Sequence, residues 1–220
     1  ARMGVVVGAN NTSTGFTRDA RFSTRIRATI TMSGETDGGL SFGATFRMDE
    51  AAIADSGGAG SVHISGTYGK LAMGDVDGAA EVAVGNLPEV GFTGLDSLEF
   101  NNLLDDGFRD GSHEIAYLSD SIGAVTPGNP RALYTYDTGA FTLALSMGDR
   151  VDDSTGTPVD NVMSAGVRYD NGAFRLGIGY ERARPAGGGA TANHLIAGGA
   201  VAFGTTEVQA FYGDGSGTFA

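Results

Sequence analysis

The chain has no cysteine and no tryptophan in its 220 residues. The first absence excludes disulfides and thiolate metal sites. Lysine is nearly missing as well: of 14 basic residues all are arginine except Lys70. Arginine stays ionised and holds a rigid fork of donors, so this bias suits fixed positive charge in structured places. No run of about 18 apolar residues occurs, so no transmembrane helix is encoded. No basic start precedes an apolar core, so no signal peptide is visible. The chain opens on Ala1, which fits a mature chain or a fragment. The formal net charge of -12 argues against nucleic acid as a partner.

What the chain has in quantity is glycine, 37 residues, and an apolar–polar alternation of period two. In 20–32, Phe22, Ile26, Ile30 and Met32 alternate with Arg21, Arg25, Arg27 and Thr31. In 40–48, Leu40, Phe42, Phe46 and Met48 alternate with Ser41, Gly43, Thr45 and Arg47. Such a period marks strands with one apolar and one polar face. Further strands are expected over 3–8, 61–68, 70–75, 131–137, 140–147, 161–170, 173–181, 193–203 and 207–212. That makes eleven, with no convincing helix. Asn171-Gly172 between two alternating runs is a strong hairpin signal.

The connections alternate in length. Short ones fall at 34–39, 69, 138–139, 171–172 and 204–205. Long ones fall at 9–19, 49–60, 76–130, 148–160 and 182–192. All tight turns therefore belong to one end of the sheet. Aromatic residues gather at strand ends, among them Phe46, Tyr68, Tyr134, Tyr136, Phe141, Tyr169, Phe174, Tyr180, Phe203 and Tyr212. Strands of about ten residues, short turns on one side, long loops on the other and aromatic girdles together predict an all-β, antiparallel outer-membrane β-barrel. In hydrocarbon every backbone amide needs an internal partner, so a spanning sheet must close. The rival is a soluble β-domain acting as a binding module or adhesin, with the apolar face inside. It leaves the loop asymmetry unexplained, and also Gly177, Gly179, Gly198 and Ala200 on the polar face.

The 76–130 connection is too long to be idle in a compact domain. It carries ten acids against Arg109 alone. The polar faces of neighbouring strands put Arg2, Arg21, Arg25, Arg27 and Arg47 on one wall, with Arg131, Arg168 and Arg175 added later. Like charges at strand spacing, about 4.8 Å, need acids or water to answer them. The expectation is a segment that folds inward and narrows a pore, setting carboxylates across from arginines. Catalytic readings fail. Gly39-Leu40-Ser41-Phe42-Gly43 matches a hydrolase elbow, but Ser41 falls inside a strand with no helix after it. His63, His113 and His194 lack metal spacing. No enzyme activity and no cofactor are expected. Asp149, Asp152 and Asp153, with Asp160, form an acidic loop; a solvated loop is the favoured reading and weak Ca²⁺ binding the alternative.

Several runs carry a family resemblance: Ala-Arg-Met-Gly at 1–4, Arg25-Ile26-Arg27, Thr31-Met32-Ser33-Gly34, Gly38-Gly39-Leu40-Ser41-Phe42-Gly43-Ala44, and Tyr68-Gly69-Lys70-Leu71-Ala72-Met73-Gly74-Asp75. With Pro88-Glu89-Val90-Gly91-Phe92-Thr93 and Tyr134-Thr135-Tyr136, they resemble the general diffusion porins of purple photosynthetic and related alphaproteobacteria, the Rhodobacter type. The resemblance covers essentially the whole chain. It implies a sixteen-stranded outer-membrane barrel, a homotrimer set in outer-membrane lipid and lipopolysaccharide, and passive diffusion of small hydrophilic solutes and ions. A substrate-specific channel of the same architecture is the nearest alternative. Carried onto this sequence, the constriction has Arg2, Arg25, Arg27 and Arg47 on its basic side. Glu81, Glu89 and Asp96 form its acidic side, with Asp105 and Asp106 as further candidates. Family members run longer; about five strands are absent here, and 213–220 reads as the start of a loop. The expectation is one partial barrel domain over 1–220, a fragment or an incomplete porin.

Overall fold

The computed structural model describes residues 2–7, 20–25, 27–49, 59–86, 117–118, 131–148, 159–185 and 191–216. Along these run β1 (Arg2–Val7), β2 (Ala20–Arg25), β3 (Arg27–Glu35), β4 (Ser41–Asp49), β5 (Ala59–Gly66), β6 (Gly69–Gly74), α1 (Ala79–Val84), β7 (Arg131–Asp137), β8 (Phe141–Gly148), β9 (Val159–Asp170), β10 (Phe174–Pro185), β11 (Ala192–Phe203) and β12 (Thr206–Ser216). β1 and β2 pair antiparallel as a two-stranded sheet. β3 to β12 form a ten-stranded sheet in which every neighbour in space is the neighbour in sequence. Two compact units are present: β1 and β2 lie in one, while Ile30–Phe46, Ala59–Gly85 and Ala116–Ala220 make up the other.

The uninterrupted meander sends all tight links to one end. The β9–β10 hairpin shows how such a link is specified. Asn171 Oδ1 accepts from the amides of Ala173 (3.0 Å) and Phe174 (2.9 Å). Gly172 supplies the positive φ, 82°, that the turn requires.

In the middle of the sheet, side chains alternate between two faces. On β8, Phe141, Leu143, Leu145 and Met147 are exposed while Thr142 and Ala144 are buried. On β10, Phe174, Leu176, Ile178 and Tyr180 are exposed while Gly179, Glu181 and Ala183 are buried. The apolar face is thus the open one. A soluble sandwich would bury it against a second sheet. It would put Phe42 and Leu143 in a dry interior, whereas they are 47% and 43% exposed. Aromatic rings border this apolar face at the tight-turn end, where Tyr169 contacts Phe141 (centroids 4.9 Å apart) and Phe174 (5.5 Å). Further along, the Tyr180 hydroxyl donates to Asn193 Oδ1 at 2.7 Å. Beyond Tyr180 the same face of β10 continues with the exposed Arg182 and Arg184. A ring with its polar tip turned towards the rim is what a water–hydrocarbon boundary selects.

Three expectations are corrected. The alternating run 20–32 is divided: β2 pairs with β1, and β3 lies beside β4. Alternation reports faces and is silent about partners, so it could not show the division. The stretch 213–220 is not a loop start throughout, because β12 continues to Ser216. Gly213, Asp214 and Gly215 are poor strand formers; their pairing with Ile196, Leu195 and His194 overrides local preference. Finally, the chain holds a helix, α1, inside the 76–130 connection.

Candidate functional site

Six residues, Ala79-Ala80-Glu81-Val82-Ala83-Val84, are too few to hold a helix in water on their own. Packing supplies the rest. Ala79, Ala80, Ala83 and Val84 are buried, and they lie on the polar face of β8 to β11, opposite the exposed apolar one. The seat is made of glycine. A Cβ added at Gly179 would stand 2.6 Å from the Ala80 Cβ, and one at Gly166 would stand 2.6 Å from the Ala79 carbonyl oxygen. One at Gly177 would strike the Ala83 carbonyl oxygen and sit 2.8 Å from Val84 Cα. One at Gly198 would meet Val84 Cγ1 at 2.8 Å. Helix backbone therefore rests directly on strand backbone, and the glycines that the alternation left unexplained are explained by it.

The sheet also satisfies the helix ends. The N-cap, Gly78, offers no side chain. Ser146 Oγ accepts from the Ala79 amide (3.0 Å) and Ser164 Oγ from the Ala80 amide (3.3 Å), and the two hydroxyls are 2.8 Å apart. At the other end Arg168 Nη1 donates to the Val82 carbonyl (3.2 Å) and the Tyr117 hydroxyl to the Gly85 carbonyl (2.7 Å). Just before the helix, Arg131 Nη1 donates to the Val76 carbonyl (2.6 Å). The Ala79 and Ala80 amides and the Val82 carbonyl are among the orphan groups that any helix terminus must place.

The return limb of the connection is held nearby. Tyr117 is fully buried. The Leu118 side chain packs on Val162 and Ala183, and its amide donates to Glu181 Oε2 at 2.7 Å. Glu181 is itself fully buried, with His194 Nδ1 3.3 Å from the same oxygen.

The structure places the expected constriction residues as follows. Arg2 and Arg25 are direct Cα partners across β1 and β2. Arg27 opens β3, and Arg47 is half-buried on β4. Glu81 lies half-buried on α1. Glu89, Asp96, Asp105 and Asp106 lie outside the described residues, as do Asp149, Asp152 and Asp153 of the possible Ca²⁺ loop. Arg131 and Arg168, expected as wall charges, are engaged by backbone carbonyls of the 76–85 stretch. Ser41 sits in β4, after a turn and before more strand, so the elbow geometry is absent. Sequence reasoning missed Ser146, Ser164, Tyr117 and Glu181. The available signal was parity: Ser164 and Glu181 share the face of Gly166, Gly177 and Gly179.

An antiparallel meander with an open apolar face bounded by aromatics, and a connection folded onto the other face, defines the class: the wall of a transmembrane β-barrel. The Gram-negative porin family model matches residues 1–220. A porin of Rhodobacter capsulatus is 37% identical over 217 residues, covering 98% of this chain and 65% of that protein. A porin structure refined at 1.8 Å resolution superposes with a TM-score of 0.69 at 37% identity, over 90% of this chain and 62% of the other. An engineered Rh. blastica porin matches at 21% identity and a TM-score of 0.48, over 90% of this chain and 77% of the other. The chain belongs to the Gram-negative porin family, whose members reside in the bacterial outer membrane. It spans just under two thirds of the length of the R. capsulatus porin.

Proposed function

We propose that this chain forms part of the wall of a water-filled outer-membrane channel, through which small hydrophilic solutes and ions diffuse passively. The observation that carries the reading is the pair of faces. One is apolar, exposed and edged with aromatics, suited to lipid. The other is polar and bears α1, suited to water and to a narrowing of the passage. The working unit is a homotrimer of the full-length protein in lipid and lipopolysaccharide. It is a conduit rather than a catalyst and needs no cofactor.

The 76–130 segment is the constriction in this reading. Arg2, Arg25, Arg27 and Arg47 form the basic side, and Glu81, Glu89, Asp96, Asp105 and Asp106 the acidic side. The register of Arg2 against Arg25 supports a concentrated positive charge at one place. Opposed charges across a narrow gap filter ions by sign. Neutralising Arg25 and Arg27 together, as Gln, should move the full-length channel towards cation preference. The measurement is reversal potential in a planar bilayer under a tenfold salt gradient, where the cation-selective limit is about 59 mV. An unchanged reversal potential would remove these arginines from the filter. Absence of any conductance from the reconstituted wild-type protein would remove the channel.

A further inference from the structure

One cross-strand row of the wall touches both limbs of the 76–130 connection. Ser146 is the register partner of Ser164, Ser164 of Glu181, and Glu181 of His194. The two serines hold the outgoing limb through the Ala79 and Ala80 amides. Glu181 holds the returning limb through the Leu118 amide. Tyr117, the residue before Leu118, closes the loop onto α1 by donating to the Gly85 carbonyl.

A fully buried carboxyl group on this face needs an account, because a polar group out of water is costly unless it is hydrogen-bonded. Glu181 is fully buried and spends one oxygen on a backbone amide of a segment more than sixty residues away in sequence. His194 shares that oxygen, and Gly213 leaves room for it: a Cβ there would meet His194 Nε2 at 3.0 Å. Leu118 packing on Val162 and Ala183 is a second, apolar hold on the same limb.

We infer that Glu181 is a positioning residue that clamps the returning limb of the 76–130 segment to the wall, with His194 orienting its carboxylate. The clamp fixes the position of Tyr117 and Leu118 against β9 and β10. Its importance for selectivity rests on the channel reading above; the clamp itself does not.

The test uses Arg109, the one trypsin site between positions 76 and 130. Full-length protein is folded into detergent or lipid, and cleavage after Arg109 is followed by mass, with the folded barrel verified by its heat-modifiable electrophoretic band. Leaving the Leu118 amide without its acceptor costs enough that Glu181→Ala should speed cleavage by roughly tenfold. Glu181→Gln, which keeps a carbonyl oxygen for the Leu118 amide, should stay near the wild-type rate. Leu118→Pro removes the donor from the other side together with the packing on Val162 and Ala183; Leu118→Ala removes most of that packing and keeps the amide, so cleavage should be faster in the Pro variant than in the Ala variant. That comparison decides the matter if Glu181→Ala does not fold. Cleavage at the wild-type rate in folded Glu181→Ala, or no faster in Leu118→Pro than in Leu118→Ala where Glu181→Ala does not fold, would overturn the clamp. So would Glu181→Gln behaving as Glu181→Ala does. A protein that conducts nothing yet shows the expected cleavage pattern would sink the channel reading and leave the clamp standing.

Discussion

Gly177→Val is expected to drive α1 off the wall. A side chain at 177 meets not a flexible tip but the Ala83 carbonyl oxygen and Val84 Cα of the helix backbone. Overpacking typically costs about 1–3 kcal/mol even where neighbours can shift. Here the helix must move as a body, so the ratio of docked to undocked helix should fall by about 5–150-fold. The strand hydrogen bonds of β10 are untouched, because the added atoms stand above the sheet and not within it. The barrel should therefore fold, with the narrowing lost or fluctuating. Swelling of proteoliposomes in sugars of graded size measures this: solutes excluded by the wild type should enter the variant. Gly199→Ala is the control, since its Cβ meets Leu176 Cδ2 at 3.0 Å and the Arg175 carbonyl at 3.3 Å, away from α1. An unchanged exclusion limit in Gly177→Val would mean that α1 does not help to set the passage.

Ile178→Arg is expected to destabilise the protein severely in lipid. Ile178 lies on the open apolar face of β10, between Phe174 at the tight-turn end and Tyr180 further along, which puts it near the middle of the apolar band. Arginine on the lipid face near the bilayer midplane costs about 2–4 kcal/mol. Urea titration of folding into lipid vesicles should show the loss as a lower midpoint with an unchanged slope. If this face met water as it stands, the same substitution, at a position 51% exposed, would be nearly neutral or would improve solubility.

The two outcomes share a root in how the sequence encodes two faces. Period two made the apolar and polar series legible without coordinates, and the Asn171-Gly172 hairpin likewise, because each depends on neighbours in the chain alone. The use made of the polar series was not legible. Gly166, Gly177, Gly179 and Gly198 come from three strands, and only the register brings them under one helix. Ser146 and Ser164 look like ordinary polar-face residues until they are found capping a helix that starts more than sixty residues earlier. Ala79–Val84 has helix-favouring alanines but lies in a glycine-rich connection, and its stability comes from the wall rather than from its own sequence. The end of β12 was misread for the same reason, since its glycines and Asp214 are strand residues by virtue of β11.

The central claim is that the apolar face meets lipid and the opposite face meets water. These 220 residues contain no cysteine, so single thiols introduced here, in a full-length protein free of other cysteines, give a clean test. Arg175 and Ile178 sit three residues apart on β10, on opposite faces of the sheet. In the full-length protein folded into vesicles, a charged, membrane-impermeant maleimide should label Arg175→Cys and spare Ile178→Cys, and unfolding in urea should make both reactive. Rapid labelling of Ile178→Cys in the folded state, at the rate of Arg175→Cys, would contradict the account.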